Sequence, residues 1–284
     1  MSAEPHPGTP EPNHARRFTT LWIVASLIAT PLVIFVLGPI LPPGNGSEQA
    51  SGHVTDNTVL LAMATPVLLL VVIYMLYAIV NFRQPNGGVL EGPAIRGHAK
   101  IQTAWLVVTS VLVLSLAVYG TVRLESDNGA GSGNGPNPLV SPKGPKLPVQ
   151  VIAQQWAFTY RYPTYGGVET THLYLPNDEM VELHVTSIDV IHSFWAYQLG
   201  VKADANPDVD NVVFVKPTHE QTFDIRCAEL CGIWHGYMFD KGHVVSPAAF
   251  ETWIHEQQKN FAPATKVLPP YAKTYLPEPL RRAE

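Results

Sequence analysis

Three long apolar runs without a single charged residue lie in the first part of the chain, and after them the pattern changes to short alternating stretches. The runs are "TTLWIVASLIATPLVIFVLGPIL" (19–41), "TVLLAMATPVLLLVVIYMLYAIV" (58–80) and "TAWLVVTSVLVLSLAVYGTV" (103–122). A helix of such length, at about 1.5 Å rise per residue, crosses the roughly 30 Å hydrocarbon core of a bilayer. The pattern therefore predicts transmembrane helices across 18–123, preceded by a short tail at 1–17. Beyond them, "ESDNGAGSGNGPNPLVSPKGPKLP" (125–148) is rich in Gly, Pro, Ser and Asn, and 124–147 reads as a flexible linker.

From 149 onward, stretches with β-type composition recur between turn signals: "VQVIAQQWAFTYRY", "THLYL", "MVELHVTS", "NVVFVKP", "QTFDIR" and "GHVVS". They predict an all-β sandwich or barrel over 148–260. "SPAAFETWIHEQQ" (246–258) predicts a helix with Ser246 as N-cap and Pro247 at its first position. The proline-containing segment 261–284 is expected to be extended.

Charge orients the helices. Arg16 and Arg17 precede the first run and Arg83, Arg96 and Lys100 lie between the second and third, whereas 42–57 contains no Lys or Arg. By the positive-inside rule the N-terminal tail and 81–102 are cytoplasmic and everything after 123 is on the outer, periplasmic side of the cell membrane. A cleaved signal peptide is the alternative for the first run. Its apolar stretch exceeds the usual length of about 7–15 residues and "GPILPPGNG" offers no A-x-A site, so a retained helix is expected. No internal repeat, P-loop or dinucleotide fingerprint is present, so a nucleotide-driven function has no support and nucleic acid is not an expected partner.

The chain has only two cysteines in 284 residues, which excludes a disulfide framework. Both fall in "CAELCGIWHGYM" (227–238), together with a histidine and a methionine. Cys227, Cys231, His235 and Met238 are soft ligands that suit copper and not magnesium or calcium. A mononuclear blue-copper site needs one thiolate, two imidazoles and a weak axial thioether. The second thiolate points instead to two bridged copper ions, which requires a second histidine. His192 in "DVIHSFW" (189–195) could come from a facing loop, but His172, His184, His219, His243 and His255 compete on spacing alone. A Cys227–Cys231 disulfide is the bland alternative in an oxidising compartment, and it would leave His235 and Met238 unexplained.

The combination "DVIHSFW … CAELCGIWHGYM", preceded by two transmembrane helices and placed in an outward β-domain, closely resembles subunit II of the haem–copper cytochrome c oxidases over about residues 58–260. The resemblance implies a cupredoxin fold carrying the binuclear copper A centre, with Cys227, Cys231, His192, His235, Met238 and the main-chain oxygen of Glu229 as ligands. It implies a magnesium ion at the side chain of Glu229, at the interface with subunit I. A carboxylate is a suitable ligand for that ion. It also implies that Trp156 accepts the electron from cytochrome c. Period two would set Trp156, Phe158, Tyr160 and Tyr162 on one strand face, with the sandwich core as the bland reading.

On this resemblance the chain accepts electrons from cytochrome c and passes them to the haem of subunit I, where oxygen is reduced with proton pumping. Subunits I and III and the lipid bilayer are the expected partners. From residue 124 onward 18 acidic residues face 12 basic ones, a net of −6, which would steer a basic cytochrome. The chain has no C-x-x-C-H and so carries no c-type haem of its own. Alternative readings are the copper A subunit of a nitric oxide reductase and a membrane-tethered copper chaperone, the latter set apart by binding one ion. Two departures from the family pattern stand out. Gln102 occupies the place of a glutamate that serves proton uptake, and in Lys202-Ala-Asp204-Ala-Asn-Pro207-Asp208 the turn glycine is replaced by Asp208.

Overall fold

The computed structural model describes residues 13–42, 44–83, 97–126 and 144–265. Most of the expected N-terminal tail, of the linker and of the C-terminal tail lies outside the described residues. The chain divides into two compact units, one drawn from 1–41 and 55–97 and the other from 42–54 and 98–284.

In the first unit, α1 (His14–Leu32) starts at Asn13, whose side chain accepts a hydrogen bond from the Arg16 N–H at 3.0 Å. One π turn (Val33–Leu37) and a short 3-10 turn (Gly38–Ile40) continue it. α1 lies along the part of α2 (Glu48–Asn81) that belongs to this unit. The Trp22 indole N–H donates to the Pro66 carbonyl at 2.8 Å, and Phe18 meets Tyr74 and Tyr77 edge-on. α3 (Ala99–Ser126) belongs to the second unit. Three helices are long and apolar enough to cross a membrane.

The second unit holds the β-sandwich. Its strands are β1 (Leu147–Gln154), β2 (Ala157–Tyr162), β3 (Val168–Thr170), β4 (Tyr174–Pro176) and β5 (Val181–Ser187). β6 (His192–Ala196), β7 (Val201–Ala205), β8 (Asn211–Val215), β9 (Gln221–Cys227) and β10 (Phe239–Val245) follow. They form two five-stranded sheets, β3-β2-β1-β5-β8 and β4-β10-β9-β6-β7. β1 runs parallel to β5, and β4 parallel to β10, while the remaining pairs are antiparallel. The protein is thus a membrane-anchored all-β chain with a cupredoxin-like sandwich.

Alternation puts Val149, Val151 and Ala153 of β1 and Phe158, Tyr160 and Tyr162 of β2 into the core against Phe194, Phe223 and Ile225. The two buried phenols keep their polar ends satisfied. Tyr160 donates to Asp240 at 3.1 Å and Tyr162 to the Tyr174 carbonyl at 2.9 Å. α4 (Pro247–Thr265) packs against the edge strands β3 and β4, with Ser246 capping through the Ala249 N–H and with Phe250 and Ile254 buried.

Two expectations change, and one departure from the family pattern is accommodated. Trp156 does not share the strand face of Phe158, Tyr160 and Tyr162. β1 ends at Gln154, which pairs with Ala157, so Gln155 and Trp156 form the turn between two strands and the period-two count breaks there. His192 is not in a loop; it is the first residue of β6. Asp208 takes the place of the turn glycine with φ 59°, a left-handed conformation that Asp adopts more readily than most residues. The turn therefore survives the missing glycine.

The helix expected at 58–80 begins instead at Glu48. Its polar first turns carry no hydrophobic signal and are held by the sandwich. Ser47, buried, caps the helix by accepting from the Ala50 N–H at 3.0 Å and donates to the Leu199 carbonyl at 2.6 Å. The segment before it pairs with the sandwich through Gly46 N–H to the Gln198 carbonyl, Thr218 N–H to the Gly46 carbonyl and Glu48 N–H to the Lys216 carbonyl. Gly200, at φ 65°, lets this strap approach: a Cβ there would lie 2.8 Å from the Ala50 Cα. Ser47→Ala leaves a buried acceptor and donor unmet and is expected to lower stability by about 1–3 kcal/mol. Thermal unfolding of the detergent-solubilised chain measures this, and an unchanged melting temperature would show that the strap contributes nothing.

Candidate metal centre

The centre is built on the end of one strand and the loop that follows it. β9 ends at Cys227, and β10 begins at Phe239 directly after Met238. The Cys227 N–H donates to the Met238 carbonyl at 3.0 Å, which closes the loop on itself. The Ala228 N–H donates to the Ser193 carbonyl at 2.9 Å, tying the loop to β6. Pairing of Phe194 with Cys227 across β6 and β9 brings the start of β6, and with it His192, to the same edge.

The sequence-predicted ligand residues converge there. Cys227 Sγ lies 3.8 Å from Cys231 Sγ and 3.8 Å from His192 Nδ1. Cys231 Sγ lies 3.6 Å from His235 Nδ1 and 3.8 Å from Met238 Sδ. The Glu229 carbonyl oxygen is 3.2 Å from Cys227 Sγ. Ligand atoms of His192, Cys227 and Cys231 fall within 4.8 Å of one another. The sulfurs are not bonded to each other, since a disulfide needs about 2.0 Å. His192, Cys227, Cys231 and Met238 are buried and His235 is half-buried. Two thiols, two imidazoles, a thioether and a carbonyl in one dry pocket suit a thiophilic metal such as copper.

The competing histidines are engaged elsewhere. His184 sits between Asp210 and Glu182, and His172 lies 3.6 Å from Asp240. His243 packs on Tyr174, His219 meets Thr218, and His255 meets Gln258. Glu229 itself is exposed.

Burial, reinforced by the hydrogen bond and the field of Cys227, pushes the Cys231 thiol up to about 12. Burial therefore favours a neutral thiol, and a metal that binds there must displace its proton.

Other residues hold this set in place. Asp189 accepts from His192 Nε2 at 2.9 Å, which turns Nδ1 toward the sulfurs. Burial would raise the Asp189 carboxyl, but N–H donors from Gln155 and Val190, the His192 ring and the Ser187 hydroxyl outweigh it and hold it below the usual range. The turn between β1 and β2 grips the loop from the other side. The Gln155 side-chain amide and the Trp156 indole N–H both donate to the Cys231 carbonyl, at 2.8 and 3.2 Å. Gly232, at φ 119°, makes this approach possible: a Cβ would lie 3.1 Å from Gln155 Nε2. The sequence reading missed Asp189 and Gln155. Asp189 stands three residues before His192, a short spacing that could have marked it as the partner of that ring.

Comparison with known proteins agrees with this chemistry. The family described as "Cytochrome C oxidase subunit II, periplasmic domain" matches residues 168–241. Cytochrome c oxidase subunit 2 of Thermostichus vulcanus is 27% identical over 284 residues, covering 84% of this chain and 86% of the relative. That of Bacillus subtilis is 28% identical over 254 residues, covering 81% of this chain and 68% of the relative. Among solved structures, the periplasmic domain of subunit II of the cytochrome oxidase of Bradyrhizobium japonicum is similar at 29% identity and a TM-score of 0.41. The match covers 42% of this chain and 98% of that one.

Removing the group that aims His192 tests the assembly of the site. Asp189→Ala is expected to lower copper affinity by about 10–100-fold, measured by competition with a copper chelator. An affinity equal to that of the unaltered chain would show that Asp189 does not position the ring.

Proposed function

We propose that this chain is a member of the cytochrome c oxidase subunit II family, which it resembles, and that it takes electrons one at a time from a cytochrome c and passes them toward the haem of subunit I. The observation that carries this reading is the convergence of Cys227, Cys231, His192, His235, Met238 and the Glu229 carbonyl on one buried pocket. A copper pair bound there supplies a one-electron acceptor whose added charge is spread over both ions and both thiolates.

The chain's own residues supply the rest. Cys227 and Cys231, with their thiol protons released to solvent, would hold the metal through sulfur, and His192 and His235 would hold it through their ring nitrogens. Met238 and the Glu229 carbonyl complete the set. Asp189, Gln155 and the closed loop hold these ligands in one arrangement, so little has to move when charge arrives. Burial keeps water from the sulfurs. The Glu229 side chain, being exposed, is free to reach a magnesium ion at the contact with subunit I.

The three helices are proposed to span the bilayer, with the sandwich outside. The contacts of Trp22 and Phe18 with α2 support a first helix that is retained. Gln102 stands at the position where a carboxylate would serve proton uptake, so no uptake through that position is proposed. A nitric oxide reductase would share the same domain, and identifying the large subunit decides between the two reactions. A chaperone would bind a single ion.

Two measurements test the reading. The chain is expected to bind two coppers and, in its one-electron-oxidised state, to give an EPR spectrum with hyperfine splitting from two equivalent nuclei. One copper per chain with a four-line spectrum would sink it. Trp156→Ala tests the route. Its indole touches the Cys231 carbonyl, yet Gln155 still donates to that oxygen, so the loop keeps a partner. The variant is expected to keep both coppers and lose most of its rate of electron uptake from cytochrome c. An unaltered rate would remove Trp156 from the route.

A further inference from the structure

Two histidines that the cysteine loop leaves unused, His172 and His243, meet at the edge of the second sheet. β4 and β10 run parallel there, with His243 opposite Tyr174 and its N–H donating to the Leu173 carbonyl at 2.8 Å. His172 directly precedes Leu173, so the two rings belong to adjoining segments. His243 alternates with buried Gly242 and Val244 and therefore faces out. Beside it opens a cleft of about 590 Å³ whose walls include His172, His243 and Asp240. His172 Nδ1 lies 3.6 Å from Asp240 Oδ1.

Each of the three side chains is held from behind. The buried Tyr160 hydroxyl donates to one Asp240 oxygen at 3.1 Å, and the Lys241 N–H donates to the other at 2.7 Å. Thr222 Oγ1 lies 3.2 Å from His243 Nδ1, and the His243 ring packs on Tyr174 at 4.7 Å between centres. Contacts of this kind orient metal ligands. The cations on the walls are turned elsewhere: Lys241 Nζ pairs with Asp224 at 3.1 Å, and the Arg226 guanidinium lies over the Phe239 ring at 5.8 Å. Burial, and after it the neighbouring His172, hold the His243 ring below its ordinary range. At neutral pH His243 therefore has a nitrogen lone pair to give.

We propose that His172, His243 and Asp240 form a second metal site, which takes a zinc ion through two imidazoles and one carboxylate. Neighbouring ligands of a tetrahedral zinc, each at about 2.0 Å from the ion, stand roughly 3.3 Å apart, close to the separation of His172 and Asp240. The set is not gathered in advance as the copper ligands are. It closes on His243 by rotation of the His172 side chain, which is 67% exposed and has room to turn. The two sites select different ions by ligand type. Thiolates and a thioether suit copper, whereas two imidazoles and a carboxylate without sulfur suit zinc. A bound ion would tie the three-residue edge strand β4 to β10, the strand that leaves the cysteine loop at Phe239. The inference does not depend on the electron-transfer function proposed above.

The test uses the detergent-solubilised full chain, loaded with copper first so that its sulfurs are occupied. It is titrated with Zn²⁺ by calorimetry and with Co²⁺ by visible absorption. One further ion per chain is expected, with the copper spectrum unchanged and the melting temperature raised. The affinity should fall as the pH is lowered through the imidazole range, because protons compete for the same nitrogens. His172→Ala and His243→Ala are each expected to weaken zinc binding by more than about tenfold. His255→Ala, which removes a histidine outside the cleft, should leave it unchanged. His172 is exposed and contributes nothing to the core, so His172→Ala decides even where His243→Ala fails to fold. Absence of any ion beyond the copper overturns the proposal. So does zinc that enters only by displacing copper, or zinc binding that His172→Ala leaves intact. A chain that loads no copper is titrated as it is, with the same variants deciding; that result counts against the copper reading and not against this site.

Discussion

The pairing of β6 with β9 is the constraint on which the rest of the site depends. His192 and Cys227 are 35 residues apart, and nothing local joins them. Antiparallel pairing of Phe194 with Cys227 places the start of one strand against the end of the other. The hydrogen bond from the Ala228 N–H to the Ser193 carbonyl carries that register one step into the loop. A shift of one residue would turn the His192 side chain to the opposite face of the sheet. Register is costly to change here because Phe194 and Ile225 on these strands are fully buried in the core.

Around this junction the protein places polar groups where burial would otherwise be expensive. The Cys231 carbonyl receives two donors, from Gln155 and Trp156, and His192 rests on Asp189. Asp189 in turn takes N–H groups from Gln155 and Val190. The turn between β1 and β2 therefore joins the cysteine loop to the segment before β6, and three separate parts of the chain fix one another. Without a metal the same burial works against ionised sulfur, as the raised Cys231 thiol shows. A metal bound there must offset that cost, so its affinity depends on pH and on the rigidity of the shell.

Charge and apolar surface divide their work by range. Electrostatic attraction acts over about a Debye length, some 8 Å at physiological ionic strength. It can orient an approaching partner without touching it. Dispersion and the removal of water act only on contact. An acidic outer domain with an uncharged aromatic rim at its metal pocket combines the two. The strap at Gly46–Ala50 belongs to the same unit and shows that a segment ahead of a long apolar helix can be part of a sandwich about a hundred residues later.

Much of this protein was legible in its residues, because the relevant signals are local. Uncharged runs of more than 20 residues mark helices that can cross a membrane, and alternation marks β-strands. The spacing of Cys227, Cys231, His235 and Met238 marks a soft-metal loop, since four ligands within a dozen positions can meet without help from the fold. The rest was decided by tertiary structure. Spacing could not choose His192 from five other histidines; the family resemblance did, and a strand pairing brings it beside Cys227. Period two placed Trp156 with the core aromatics, and a two-residue turn took it out of the strand. The polar start of α2 carries no hydrophobic signal, and contacts with Leu199 and Lys216 hold it. Gln155 owes its place to the Cys231 carbonyl, distant in the chain, and a linear sequence records residue types and spacings, not which distant segments will touch.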